Sequence, residues 1–244
     1  MEPLLFDTHC HFEGVPSDAD ELQFAQAENI RVIAVGGNAI LNQTAEASGT
    51  AFAQGFDWSC KKLPETLKIA PAVCAIGELG FDFHYEQSDS VASIQRQNFE
   101  IQAEFARTHN LPIIVHTREA DNITYEALRT LALPATGVIH SYTGGIAFAR
   151  QLLDLGYLLS FSGIVTFRNA DTLREVVKFV PIESILVETD SPYLAPIPLR
   201  GQRNQPKNVR LTANFIAALR GISNESFAQQ TSANACRLFI LKKD

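Results

Sequence analysis

Apolar runs rich in β-branched residues recur along the chain, each followed by a segment of helical character. They fall at residues 4–7 (LLFD), 30–35 (IRVIAV), 50–56 (TAFAQGF), 73–77 (VCAIG), 111–116 (LPIIVH), 136–140 (TGVIH), 157–161 (YLLSF) and 185–189 (ILVET). Short apolar runs of this kind predict strands. The clearest helix is predicted over 88–109, where Val91, Ile94, Phe99, Ile101 and Phe105 form an approximate stripe and Leu111-Pro112 marks the exit. Residues 18–28, 119–131, 145–155 and 170–179 also read as helices, and two more close the chain at 208–220 and 224–237. Residues 191–206, SPYLAPIPLRGQRNQP, carry four prolines and little periodicity, which predicts a long loop. Eight strands alternating with helices predict an α/β fold, a single (β/α)8 TIM barrel. No repeat or linker divides the chain, so residues 1–244 are expected to form one domain.

A length of 244 residues suits one such barrel, and 46% apolar with 19% charged residues suits a buried core rather than a disordered chain. No apolar run approaches the roughly 18 residues of a membrane helix, and the start shows no secretory leader, so a cytoplasmic protein without membrane contact is expected. Cys10, Cys60, Cys74 and Cys236 are scattered without a CxxC pair, which predicts reduced thiols rather than disulfides or a thiolate metal site. The net charge of −7 argues against broad wrapping of nucleic acid. It leaves room for a local phosphate site, particularly where divalent cations offset the charge.

Candidate chemistry gathers where the predicted strands end. In LLFDTHCHF the period of two sends His9 and His11 to one face and Cys10 to the other. Glu78 follows the fourth strand, His116 and His140 end the fifth and sixth, and Asp190 follows the eighth. Barrel enzymes assemble their sites at these C-terminal strand ends. Imidazole and carboxylate together suit zinc, manganese, iron or magnesium, and such a site lowers the pKa of bound water so that hydroxide becomes available as nucleophile. Glu78 could bridge two cations roughly 4 Å apart, with His116 and His140 on the second, while Asp190 completes the first and accepts the nucleophile's proton. Each residue alone has a plainer reading: a histidine packed after an apolar strand, or an acidic residue capping the next helix. Their joint placement favours a metal-dependent hydrolase.

These residues lie in segments that resemble the TatD family of metal-dependent deoxyribonucleases, within the amidohydrolase-like barrels. DTHCH at 7–11, IGELGFDF at 76–83, VHTREA at 115–120, HSYTGG at 140–145 and VETDSPYLAP at 187–196 carry the resemblance, which spans nearly the whole chain. It implies one divalent metal held by His9, His11, Glu78 and Asp190 and a second held by Glu78, His116 and His140. The implied substrate is DNA, as ends or short single strands, with magnesium, manganese or zinc as the ion. The chain departs from the family at GFDW (55–58), where a G-x-H-P turn is common, and at Gln205, where an acidic residue is usual.

Arg118, Arg200 and Arg203 are candidate phosphate contacts because the guanidinium fork fits phosphate oxygens, although each could be a loop charge. Trp58 could stack on a base or pack in a lid. His84 reads as a loop histidine, His109 as a charge at a helix C-terminus, and Asp7 as a strand-end residue able to orient a ligand. Two rivals remain: hydrolysis of another ester or amide, such as D-aminoacyl-tRNA or a lactone, and a noncatalytic metal-binding protein. No obligate protein partner is expected.

Overall fold

The computed structural model describes residues 3–56, 69–131, 133 and 136–241. Cys60 and the second half of the departing GFDW turn, Asp57 and Trp58, lie outside them. Eight parallel strands run in chain order: β1 (Leu5–Cys10), β2 (Ile30–Val35), β3 (Ala51–Gln54), β4 (Val73–Asp82), β5 (Ile113–Arg118), β6 (Gly137–Ile139), β7 (Leu158–Phe161) and β8 (Ile185–Val187). Around them lie helices α1 (Ser17–Ala27), α2 (Ala39–Ala47), α3 (Asp89–Thr108), α4 (Asp121–Leu131), α5 (Ile146–Asp154), α6 (Asp171–Phe179), α7 (Val209–Arg220) and α8 (Asn224–Leu238). The architecture is the (β/α)8 barrel expected from the pattern. No described helix is long and apolar enough to cross a membrane.

The seam between β8 and β1 closes largely through loop backbone and side chains. Past the strand end, Asp190 N–H donates to the His9 carbonyl and His11 N–H to the Ser191 carbonyl, both at 2.8 Å. Below them Asp7, fully buried, accepts from Thr189 N–H at 2.8 Å and Thr189 Oγ1 at 2.5 Å, and Thr8 Oγ1 donates to the Val187 carbonyl at 3.0 Å. Asp7 therefore staples the first strand to the last, and its own burial pushes its pKa well above the carboxylate range against the opposing Thr189 bonds.

Alternation along the strands explains how an apolar barrel carries a polar mouth. Every strand gives at least one residue to a common apolar cluster, among them Phe6, Ile33, Ala53, Ala75, Ile114, Val138, Leu158 and Leu186, which Ala235, Cys236 and Phe239 close from the α8 side. Two positions further along the same faces stand His116, His140, Ser160 and Glu188. On β1 the pairing register shifts between Asp7 and Cys10, so His9 and His11 turn to the side that Phe6 occupies lower down. Cys10, Cys74 and Cys236 are buried free thiols.

Two elements differ from the sequence reading. Strand β4 continues to Asp82 instead of ending before Glu78, because glycines let it run close against β5: at Gly80, with φ of 157°, any Cβ would collide with the His116 carbonyl. Helix α2 was not among the segments singled out. It is nine residues long and starts at an Asn38 cap, whose side chain accepts from Ile40 and Leu41 N–H at 3.0 Å each, the signal that GGNAIL offered.

Candidate metal centre

All six residues expected to hold metal converge at the C-terminal mouth. Glu78 lies in the middle. Its Oε1 is 2.7 Å from His116 Nδ1 and 3.0 Å from His140 Nε2, while Oε2 is 3.7 Å from His9 Nε2 and 4.0 Å from His11 Nε2. Asp190 Oδ1 stands 3.6 Å from His11 Nε2 and 3.8 Å from His9 Nε2. The described donors form three overlapping groups able to grip an ion: His9, His11 and Asp190; Glu78, His116 and His140; and His9, His140 and Glu188.

The hydrogen bonds behind the imidazoles show that these groups fit a cation. His11 Nδ1 faces the Val35 carbonyl at 3.0 Å, His140 Nδ1 faces Glu188 Oε1 at 3.3 Å, and His116 Nε2 faces Asp82 Oδ2 at 3.2 Å. Each of these oxygens only accepts, so the outer nitrogen carries the proton and the inner one, in a neutral ring, presents a bare lone pair. Those lone pairs point at one another and at carboxylates: His9 and His11 Nε2 are 3.2 Å apart, and His116 Nδ1 and His140 Nε2 are 2.9 Å apart. A cation would satisfy such an inward-facing set of acceptors at once.

The protonation tendencies agree. Burial disfavours charge on His140, yet Glu78 and Glu188 outweigh it and hold its pKa well above the usual histidine value. His116 is likewise raised against burial by Glu78 and Asp82, and His11 by Asp190 and Glu78. Burial and the neighbouring imidazoles drive His9 the other way, well below. Glu78 feels burial upward, but His140 and His116 hold its carboxyl well below the ordinary range. The raised imidazoles show that the carboxylates around them favour positive charge at these positions.

Asp82 and Glu188 were not singled out from the sequence, although both lie inside the quoted segments, GFDF and VETD. Their signal is periodicity: Asp82 stands four residues after Glu78, and Glu188 two after the inward Leu186. Asn204 was also not recognised as an organiser. Fully buried, it donates from Nδ2 to the Thr189 carbonyl at 3.0 Å and accepts from Asn208 Nδ2 at 2.9 Å, fixing the proline-rich loop to the seam.

The three candidate arginines have different settings. Arg203 is engaged by Glu13 at 2.7 Å and Glu21 at 3.3 Å. Arg200 lies over the Phe167 ring at 4.3 Å, and Arg118 over Tyr85 at 5.7 Å. His109 caps α3 through Nδ1, 2.8 Å from the Phe105 carbonyl, and His84 Nδ1 meets Glu119 at 2.6 Å.

Barrel and donor cluster together define a metal-dependent hydrolase. The chain belongs to the TatD related DNase family, whose model matches residues 6–240. It is 38% identical to YcfH, an uncharacterized metal-dependent hydrolase of Escherichia coli strain K12, over 96% of this chain and 95% of that one. It is 35% identical to YabD, an uncharacterized metal-dependent hydrolase of Bacillus subtilis strain 168, over 97% and 99% respectively. The crystal structure of YjjV, a TatD homolog from Escherichia coli K12, superposes with a TM-score of 0.84 at 26% identity, covering 98% of both chains.

Proposed function

We propose that this hydrolase is a deoxyribonuclease that cuts phosphodiester bonds at DNA ends or in short single strands, using two divalent ions. The observation that carries the reading is Glu78, whose two oxygens face His116 and His140 on one side and His9 and His11 on the other. A carboxylate so placed is suited to hold two cations at once. We assign His9, His11, Glu78 and Asp190 to one ion and Glu78, His116 and His140 to the other, with Glu188 behind His140 and Asp82 behind His116. When bound, magnesium, manganese or zinc would supply activated water and neutralise charge on the phosphate and the leaving oxygen.

The remaining chemistry belongs to the chain. Asp190 stays partly open to the mouth, with 15% of its side chain exposed, and can accept the proton of the attacking water. Asp82 and Glu188 fix the ring orientation of His116 and His140. The family's name and the exposed Arg118 support a phosphodiester. The buried free thiols of Cys10, Cys74 and Cys236 support a cytoplasmic setting.

The test is nucleotide release from single-stranded and duplex DNA by metal-stripped protein resupplied with magnesium, manganese or zinc, with Asp190→Asn as control. Metal-restored cleavage absent from the variant is the expected result. If metal binds yet DNA stays intact under all three ions, the substrate is another ester or an amide, and D-aminoacyl-tRNA and small esters follow on the same panel.

A further inference from the structure

Beyond the donor cluster, the ends of β4 and β5 carry an aromatic and cationic shelf. Asp82 anchors it. One carboxylate oxygen faces His116 Nε2 at 3.2 Å, and the other accepts the His84 backbone N–H at 2.9 Å. The next residue, Tyr85, is 87% exposed, more than any other large apolar or aromatic side chain among the described residues. A ring so placed leaves most of its surface in water, yet it is not loose. The His84 ring meets it edge-on with centroids 4.7 Å apart, and the Arg118 guanidinium lies 5.7 Å from its centroid. Glu119 in turn holds His84 at 2.6 Å. Strand register pairs Asp82 with Arg118, which stands two residues, about 7 Å of strand rise, beyond His116.

Register and charge bring this arginine to the shelf. Arg203 is ion-paired with Glu13 and Glu21, whereas no described carboxylate lies within ion-pair distance of Arg118, whose charge reaches its register partner Asp82 only at longer range. An exposed aromatic ring beside a guanidinium with no direct ion pair among the described residues matches one nucleotide: a base with a π face and a flanking phosphate. We propose that Tyr85, supported by His84, stacks one unpaired base of the substrate next to the cleavage site, and that Arg118 receives the phosphate adjoining that base. The inference rests on the nucleic-acid reading above and deepens it. A base must leave its helical stack to lie on Tyr85, so the shelf selects single-stranded ends over intact duplex.

The experiment is a binding cycle with the full chain and a fluorescein-labelled, phosphorothioate single-stranded octanucleotide, in which one base at a time is replaced by an abasic site. In the wild-type protein, removing one particular base weakens binding about tenfold, within the roughly 5- to 150-fold that stacking one base is worth. In Tyr85→Ala the affinity for the intact strand falls by a similar factor, and that abasic site then costs nothing further. Tyr85→Phe restores the sensitivity, since only the ring face is needed. Arg118→Gln lowers the salt dependence of binding by about one released counterion.

Tyr85→Ala weakening every abasic strand by the same factor would mean a merely structural role and overturn the proposal. So would a wild-type scan with no position coupled to Tyr85; in that case the nuclease reading stands and only the shelf falls. A wild-type protein that binds no oligonucleotide removes both.

Discussion

Around His116 and His140 the outer imidazole nitrogens meet carboxylates, Asp82 and Glu188, whereas around His11 the outer nitrogen meets only the Val35 carbonyl, and His9 Nδ1 has no hydrogen-bond partner. The two halves of the cluster thus differ in what stands behind the ligands. A carboxylate behind an imidazole raises its basicity and locks its tautomer; a carbonyl does the second with little of the first. On the proposed two-ion reading, the β5/β6 half should grip its ion more tightly than the half at the β8/β1 seam, where Asp190 sits. Loss from the seam half should therefore abolish chemistry while sparing the other ion, and loss behind the β5/β6 half should weaken the grip itself.

The largest effect is expected from Asp190→Asn. Asp190 has a φ of 55°, a left-handed conformation that asparagine also tolerates, so the variant should fold. Turnover should drop about 10²- to 10⁴-fold, while metal analysis still finds the β5/β6 ion bound. Near-normal turnover would remove Asp190 as base. Loss of both ions would show that the halves do not act separately.

Next come Asp82→Asn and Glu188→Gln, each expected to weaken metal affinity about 10- to 100-fold. Titration of the stripped wild-type protein should resolve a tighter and a weaker site, and Glu188→Gln should act on the tighter one. Two wild-type sites of equal affinity would break the comparison. Glu188→Gln also keeps an acceptor oxygen for the Ser141 N–H, now 2.7 Å away, so a loss of affinity is not simply a loss of fold.

These backing carboxylates mark where sequence reasoning stopped. Strand periodicity alone placed His9 and His11 on one face, and the ends of apolar runs placed His116, His140 and Asp190 at the mouth. The barrel followed from eight such runs because each is short, apolar and punctuated. Asp82 and Glu188 escaped because their roles depend on where β4 ends and on which residues of neighbouring strands share a level, and register is not written within one strand. Helix α2 escaped for a local reason: nine residues give too few turns for a stripe to stand out. Arg203 read as a candidate phosphate contact in the proline-rich loop because Glu13 and Glu21 lie some 180 residues away in the chain and meet it only after the seam closes.

The pH dependence sharpens the comparison through protons. His116 and His140 have raised folded values, so in the metal-free protein their stabilisation is complete below about 6.5 and is lost as pH rises through those values. Glu78 is depressed, so its contribution is present above about 4.5 and disappears as pH falls through its folded value. His9, depressed as well, works against the other histidines by favouring the folded state less as pH drops below about 6.5. With two strongly backed rings in the β5/β6 half, metal binding near neutral pH should release protons, mainly from that half. Calorimetry in buffers of different ionisation enthalpy should show the release, and Glu188→Gln should reduce it. The Tm gain from added metal should grow between pH 6 and pH 8; a gain that shrinks would contradict the assignment.

The smallest effect tests how the seam half is held in place. Arg203 joins the loop after β8 to Glu13, just beyond His11, and to the buried Glu21 of α1. Glu21 is pushed up by burial, with Arg203 opposing that rise, so removing the arginine leaves a buried carboxyl that can take up a proton rather than remain a stranded charge. Arg203 itself is 40% exposed, and exposed ion pairs are worth about 1 kcal/mol or less. Arg203→Ala should therefore lower Tm by only a few degrees and loosen the weaker metal site slightly, leaving the tighter site and the substrate KM unchanged. A KM that rises while Tm and both metal affinities hold would instead give Arg203 the phosphate-contact role expected from its sequence, and would mean that Glu13 and Glu21 release it when substrate arrives.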